Sequence, residues 1–420
     1  MKKLILVTYT FPPLSTGGTS VVLNMCKYLP RNGWEVVVVT VNKPRGMALD
    51  NTLLREVPSG MKVFRVPHEK ASAGSSISDE GQNPLRRLAS FVAHNYILVP
   101  DRVITWKKMV VPVLKNIIKD EKPHAIVSFG PHHSLHLIAI SAAQQTALPF
   151  IPYFGDLWLE DSCVEWPSKL NRFVESLLER RVVSRARGII ATTEDSAGYF
   201  LEKYENICPP SHVAENGYDP DRITRADSPV PDPNHLTAGW TGNFFANHSP
   251  GKLLEGLKMF YGRNPQSKLR VKMAGGIDRS SLRKINSEPL KGRVTHVGHL
   301  KWREVPGFQR NCDVLIAYLD QHRGSHYKNS SKTAEYLASG RTILGIVPEG
   351  SMAARIRNPG RGYIVHPDAE QVAVMFENLE YQWKTSGLRV PDDFETIQKT
   401  FSARGVMRKL AGFLNDMAGP

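Results

Sequence analysis

The chain has 420 residues, which at roughly 100–200 residues per domain makes two or three domains. It is 41% hydrophobic and 22% charged, with 32 Gly and 29 Pro, a globular balance that excludes collagen-like and wholly disordered chains; no apolar run approaches the ~18 residues that span a bilayer. Its net charge of +14, from 54 Lys+Arg against 40 Asp+Glu, suits nucleic acid, an anionic membrane face, a phosphorylated small molecule or simply a basic surface, but no block of five like charges marks a nucleic-acid tail.

In chain order, Met1-Lys2-Lys3 followed by Leu4-Ile5-Leu6-Val7 imitates a signal peptide. The apolar stretch stops at Pro12-Pro13 without a small-residue cleavage site, so it reads as a first core strand. Strand-like runs follow at Trp34–Val41, Lys62–Val66, His124–Phe129, Phe150–Phe154 and Gly188–Thr193. They are near-continuously apolar, as parallel strands covered on both faces require. Helical spacing separates them, in Val21, Val22, Met25, Cys26 and Leu29, and again in Val174, Leu177, Leu178, Val182 and Ala186, with charges on the opposite face. Asp219–Pro233 carries four prolines and reads as a linker. The alternation restarts with Leu236–Trp240, Leu269–Ala274, Val294–Val297, Asp313–Ala317, Thr342–Val347 and Tyr363–Val365. A last helical stripe runs through Val406, Met407, Leu410, Phe413, Leu414 and Met417. The pattern predicts an α/β protein of two doubly wound domains facing across a cleft, with chemistry at the carboxyl ends of the strands. Cys26, Cys163, Cys208 and Cys312 show no metal-ligand spacing, and read as reduced thiols of a cytosolic protein.

Five clusters sit where such chemistry is expected. Thr16-Gly17-Gly18-Thr19 opens a helix after the first strand, either a tight turn or an approach for a ligand to free backbone N–H groups. It is not GxGxxG, and Val41-Asn42-Lys43 offers no acid after the second strand, which argues against a nicotinamide cofactor. Gly130-Pro131-His132-His133-Ser134 places two histidines at a strand end, suited to hydrogen-bonding a sugar hydroxyl, phosphate or leaving group, or to a surface loop; adjacent histidines without a third ligand make a poor metal site. In Tyr153-Phe154-Gly155-Asp156-Leu157-Trp158 an acid lies among aromatics and calls for a partner, a ligand hydroxyl or a buried arginine. Trp240-Thr241-Gly242-Asn243-Phe244 ends the first strand of the second half. The run Ser325–Gly340 reads as a Ser-capped helix closed by Gly. There Ser330 and Ser331, flanked by Lys328 and Lys332, make a phosphate site, with Glu335 one turn on able to accept from two ribose hydroxyls; the plainer account is a solvated helix with a Lys332/Glu335 pair.

Together these residues resemble the retaining glycosyltransferases of the GT-B fold, specifically glycosyltransferase family four. Phe11-Pro12-Pro13 with Gly17-Gly18 is similar to that family's opening motif. Pro100-Asp101 with Trp106, Ser128 through His136, and Phe154–Trp158 resemble a subgroup that builds surface polysaccharides and glycosylated metabolites. Asn216-Gly217-Tyr218-Asp219 resembles the Asn-Gly-Val-Asp pattern before the interdomain linker, and Lys332–Gly340 the donor-binding helix. The resemblance spans essentially the whole chain. It implies an acceptor domain over 1–215, a linker over 216–235, a nucleotide-sugar domain over 236–395 and a final helix over 396–420 that crosses back to the first domain. It implies a hexosyl transfer from a nucleotide-diphosphate sugar to an acceptor hydroxyl, with retention and without a metal or other cofactor, in surface polysaccharide or glycoconjugate synthesis. Donor contacts would come from Gly242, Asn243, Gly298, His299, Tyr327, Lys328, Asn329, Ser330, Ser331, Lys332 and Glu335. Acceptor contacts would come from Gly17, Gly18, Trp106, His132, His133 and Trp158, and the reacting centre from His133, Asp156 and Lys332.

The sequence departs from the family at three positions. Tyr327 stands where members carry a Glu eight residues before the ribose Glu, and Asn243 and His248 stand where an Arg and a Lys are usual. Diphosphate stabilisation is therefore expected from Lys328, Lys332 and the helix N-terminus. Residues 84–118 hold Arg86, Arg87, Arg102, Lys107, Lys108 and Lys115, with Phe91, Tyr96 and Trp106. They form either a basic amphipathic surface for an anionic membrane, natural for a lipid-linked acceptor on the inner membrane face, or ordinary helices with solvated charges. A sugar-nucleotide epimerase or hydrolase would share the donor helix without an acceptor site, and a non-catalytic anion or nucleic-acid binder would explain only the charge.

Overall fold

The computed structural model describes residues 1–42, 48–68, 98–144, 146–161, 164, 166–223, 232–244, 249–357, 360–388 and 394–419. The middle of the expected linker and Arg86, Arg87, Phe91, Tyr96, Cys163 and His248 lie outside them. The chain divides into two compact units, Met1–Glu215 with Val406–Pro420, and Asn216–Gly405.

The first unit is built on seven strands: β1 (Lys2–Thr8), β2 (Trp34–Asn42), β3 (Val63–Pro67), β4 (Ala125–Gly130), β5 (Phe150–Phe154), β6 (Ile189–Ala191) and β7 (Ser211–Val213). They lie in the order β3-β2-β1-β4-β5-β6-β7, and every pair is parallel. β7, short and half-exposed, carries too little apolar signal to be read from sequence. The central strands are buried on both faces: Leu4, Ile5, Leu6 and Val7 are fully buried, as are Val37, Val38, Ile126 and Val127. A near-continuous apolar run is what that double burial demands.

The second unit repeats the plan with β8 (Leu236–Asn243), β9 (Leu269–Gly276), β10 (Val294–Gly298), β11 (Val314–Tyr318), β12 (Thr342–Ile346) and β13 (Gly362–Val365). Their order is β10-β9-β8-β11-β12-β13, again all parallel. One core of this sheet includes Trp240, Phe260, Met273 and Phe376; the other packs Leu315, Tyr336, Leu337 and Ile356. The helices Gly251–Arg263 and Ala369–Thr385 approach so closely at Gly256 that a Cβ there would stand 2.5 Å from Val372 Cγ1.

Caps close the helices as the sequence suggests. Ser330 accepts from the Lys332 N–H at 3.3 Å, and Gly340 ends that helix in the left-handed region at φ 74°. Asp368 accepts from the Glu370 and Gln371 N–H groups, a cap worth about 1 kcal/mol. The final helix, Ala403–Ala418, lies against the β6 and β7 edge of the first unit, where Phe413 stacks on His212 at 5.1 Å. Cys26 and Cys312 are buried free thiols and Cys208 is a half-buried one. No helix among the described residues is long and apolar enough to cross a membrane.

The ends of β8 and β9 are built on two glycines. Gly242 has φ +154° and Gly275 φ +117°, and a Cβ at Gly275 would overlap the Gly242 carbonyl oxygen. Gly275→Ala is therefore expected to cost about 3 kcal/mol or more, because positive φ and steric overlap act together. Urea unfolding checks this; a variant as stable as the parent would show that the strand ends are not so closely paired.

Candidate active site

Both sheets reverse direction of travel at a central pair, β1/β4 in the first unit and β8/β11 in the second, and ligands of such sheets bind at the carboxyl ends beside that switch point.

In the second unit β8 ends in Gly242-Asn243, and the helix Ser331–Ser339 presents its N-terminus nearby. Lys332 reaches back over Trp240, its Nζ 5.7 Å from the ring centroid. A Cβ on Gly242 would overlap that Nζ, so the glycine is what leaves the ammonium room. The residue keeps some exposure, yet the atoms crowded around its ammonium push its pKa down to about 8 by desolvation. Among the described residues no carboxylate pairs with it. Lys332 does not bridge to Glu335.

Glu335 is instead held by Arg222, whose guanidinium forms an ion pair with Oε1, while Gln309 Nε2 donates to Oε2 at 3.3 Å. Arg222 stacks over Trp302 at 4.0 Å from the ring centroid. The sequence reading missed Arg222, Gln309 and Trp302; the one available sign was an arginine three residues past Asp219. An ionised carboxylate offers about four acceptor positions. Arg222 and Gln309 take one on each oxygen, which leaves one on each for a pair of hydroxyls.

The Asn-Gly-Tyr-Asp run supports this site from behind. Asn216 Nδ2 donates to the Asn329 carbonyl at 3.0 Å, and Arg355 donates to the Asn216 carbonyl at 2.9 Å. Tyr218 exchanges backbone bonds with Phe401 and Ala403. Asn329 Oδ1 and Thr333 Oγ1 are buried without a hydrogen-bond partner among the described residues, acceptors that a polar ligand can satisfy. Asn243 is committed locally, its Oδ1 accepting from the Gly276 N–H at 2.8 Å. Gly298 lies at the end of β10 with His299 exposed beyond it. Tyr327 packs on His326 at 3.9 Å, and Lys328, Ser330 and Ser331 are half-buried around the helix start.

In the first unit, Gly17 and Gly18 open the helix Gly17–Tyr28, where a Cβ on Gly18 would come 3.0 Å from Phe129. Thr16 and Thr19 close a capping box there. His132 keeps a third of its side chain exposed, with its ring on Tyr9 and Nδ1 3.7 Å from Asp101. Asp101 also accepts from the Val103 and Ser134 N–H groups, so one carboxylate caps two helix starts.

His133 is buried and stacks on Trp158 at 4.8 Å with the rings 4° apart. Burial pushes its pKa down to about 4, against the opposing pull of Asp101, so it is neutral near neutral pH. Its Nδ1 has no partner among the described residues. Behind it, His136 shares a 2.7 Å hydrogen bond with Ser128 and is likewise held neutral by burial. Its ring lies 5.7 Å from that of His133, tilted by 40°, and the spacing of three was the available sign that the two are neighbours.

Trp106 and Trp158, expected beside an acceptor, are fully buried. Trp106 donates to the Pro67 carbonyl at 3.1 Å and Trp158 to Glu175 at 2.7 Å, so both indoles support the loops from within. Asp156 is half-buried beyond β5. Among the described residues no group of three His, Cys, Asp or Glu is placed to hold a metal ion.

Two units of wholly parallel sheet, with seven and six strands in these orders, resemble the fold of the GT-B glycosyltransferases. Residues 16–217 match the model of the glycosyl transferase 4-like domain. A glycosyltransferase from Rickettsia africae superposes with a TM-score of 0.66 at 16% identity, over 99% of this chain and 98% of that one. Sucrose-phosphate synthase from Thermosynechococcus elongatus gives 0.66 at 14% identity, over 98% of each chain. HepE of Anabaena, in complex with UDP, gives 0.64 at 12% identity, over 99% of each. No curated protein matches the chain in sequence.

The Trp158–Glu175 bond makes a pH prediction. Glu175 is buried, and desolvation raises its pKa from 4.5 to about 7, with the Trp158 hydrogen bond opposing and the Asp101 and Glu179 charges adding. Its folded pKa lies above the unfolded one, so the folded state binds the proton more tightly. Stability should fall as pH rises from about 4.5 to about 7, by up to about 3 kcal/mol. Glu175→Gln keeps an acceptor for Trp158 and should remove that decline, leaving the variant more stable than the parent at about pH 8. Unfolding curves across the window decide it; identical pH profiles for the two proteins would count against the shift.

Proposed function

We propose that the chain is a retaining glycosyltransferase that moves a hexosyl group from a nucleotide-diphosphate sugar to an acceptor hydroxyl. The observation that carries this reading is the Lys332 ammonium, desolvated, without a carboxylate partner among the described residues and lodged against Gly242 at a helix N-terminus. A diphosphate there would gain the ammonium, the helix dipole and free backbone N–H groups at once. Glu335, steadied by Arg222 and Gln309, would take the ribose hydroxyls with its two remaining acceptor positions. The match of residues 16–217 to the glycosyl transferase 4-like domain, and the UDP-glucose complex of HepE on a similar fold, support the same reading.

In the transfer, the bond between the sugar's anomeric carbon and the leaving phosphate oxygen breaks. The acceptor oxygen bonds to the same face, and its proton passes to the leaving diphosphate. Lys332 and the helix N-terminus stabilise the charge that develops on the diphosphate, a task that fixed positive groups can do without a bound ion. His133, neutral with an unpartnered Nδ1, and Asp156 are assigned to the acceptor side with Gly17, Gly18 and His132. We assign the activity to surface polysaccharide or glycoconjugate synthesis in a reducing cytoplasm, which the free thiols suit.

The described part of the basic stretch expected at a membrane begins at residue 98 and holds the turn Arg102–Trp106, with Arg102 exposed, and most of the helix Lys107–Glu121. The helix buries Val110, Leu114, Ile117 and Ile118 and turns Lys108, Lys115 and Lys119 to solvent, the pattern of an amphipathic helix.

Thermal melts with UDP-, GDP-, ADP- and dTDP-sugars test the donor site. One nucleotide should stabilise the protein, and Lys332→Met should weaken its binding by at least about tenfold, the scale of one lost charge-assisted bond. No shift with any of the four would end the proposal. NMR of the product's anomeric centre then tests retention, and turnover of donor without acceptor would favour an epimerase or hydrolase instead.

A further inference from the structure

Leu170, Phe173, Val174 and Leu177 recur at i, i+3, i+4 and i+7 on the helix Lys169–Arg185, the spacing of a core face. In the structure they point the other way: Leu170 is 64% exposed, Phe173 59%, Val174 38% and Leu177 50%. The inward face carries Asn171, Glu175 and Glu179 as well as Val182 and Val183. The expectation that Val174 and Leu177 belong to the core is thus overturned, while Val182 is buried as expected.

Polar bonds lock this inverted register. Glu175 accepts from the Trp158 indole. Glu179 accepts through one oxygen from Tyr199 at 3.0 Å, Tyr204 at 2.6 Å and Lys203 at 2.8 Å. Rolling the helix to hide its leucines would strip Glu175 of its one bond and Glu179 of three, leaving buried polar groups on both sides unpaired. The apolar stripe is therefore a fixed feature of the folded surface.

Charge tells what it faces. Arg180 and Arg181 continue the same exposed face one turn past Leu177, and Lys169 and Arg185 are exposed at its two ends. The helix's only acids, Glu175 and Glu179, are both buried. Arg172 is paired with Glu160 at 2.6 Å, but an apolar stripe rimmed by further cations, on a helix with no outward carboxylate of its own, matches an anionic lipid surface, where leucines and an aromatic enter the acyl boundary and arginines stay among headgroups.

We propose that the outward face of Lys169–Arg185 is a docking surface for anionic membrane, lying in the plane of the interface. This is a different helix from Lys107–Glu121, and the proposal stands whether or not the chain transfers sugars.

The test is flotation of the full chain with vesicles of phosphatidylcholine alone and of phosphatidylcholine with phosphatidylglycerol. Binding should require the anionic lipid and decline with added salt. Phe173→Ser with Leu177→Ser should reduce it by at least about tenfold, as should Arg180→Gln with Arg181→Gln. Lys108→Gln with Lys115→Gln, on the other basic helix, should leave it unchanged. All these positions are exposed, and equal melting temperatures would certify folding. In Phe173→Trp, indole fluorescence should shift to the blue on the anionic vesicles. The proposal is overturned if the parent floats with neither vesicle, or if the serine variant binds as well as the parent. A dimer in sedimentation that Phe173→Ser dissociates would overturn it too, since a second copy would then be what covers the stripe.

Discussion

A strand that runs parallel to its neighbour cannot be reached by a short turn; the chain must first return across a face of the sheet. Every strand pair of this protein is parallel, and most of its architecture follows from that. The returning helices cover both faces, so the strands between them are apolar throughout. All loops after strands gather at one edge, and at β1/β4 and β8/β11 the returns diverge to opposite sides. The residues found there are Gly17, Gly18 and His132 in one unit and Gly242 and Asn243 in the other.

That constraint also explains what was legible in the sequence. Uninterrupted runs such as Trp34–Asn42 and Phe150–Phe154 report burial on both faces directly, and they located twelve strands to within a few residues. β7 escaped because an edge strand of three residues needs no such run. The helix Ser331–Ser339 was legible through local chemistry: Ser330 as cap and Gly340 as stop require only their own neighbours.

Partners distant in the chain were not legible. Lys332 and Glu335 are three apart on one helix, and a local reading pairs them. The structure gives Glu335 to Arg222, 113 residues away in sequence, and leaves the ammonium of Lys332 against Gly242. The difference matters for chemistry. A lysine neutralised by its own helix has little left for a phosphate, whereas one kept from any carboxylate retains its whole attraction for an incoming anion.

The helix Lys169–Arg185 shows the same limit in another form. Its apolar spacing predicts an inward stripe, because hydrophobic periodicity assumes that burial is decided by the hydrophobic effect alone. Exposing a leucine forgoes roughly 1.5–3 kcal/mol. Leaving a buried tryptophan N–H and two tyrosine hydroxyls unpaired, with two carboxylates displaced, costs a comparable amount for each group. Trp158, Tyr199 and Tyr204 are supplied by other segments of the unit, so the outcome depends on groups that no window of helix sequence contains. The polar network determines which way the helix faces, and the apolar residues are left outward as a consequence. Where a fold accepts that loss in a row of four side chains, beside exposed arginines and away from its own acids, the exposed face is itself a binding element.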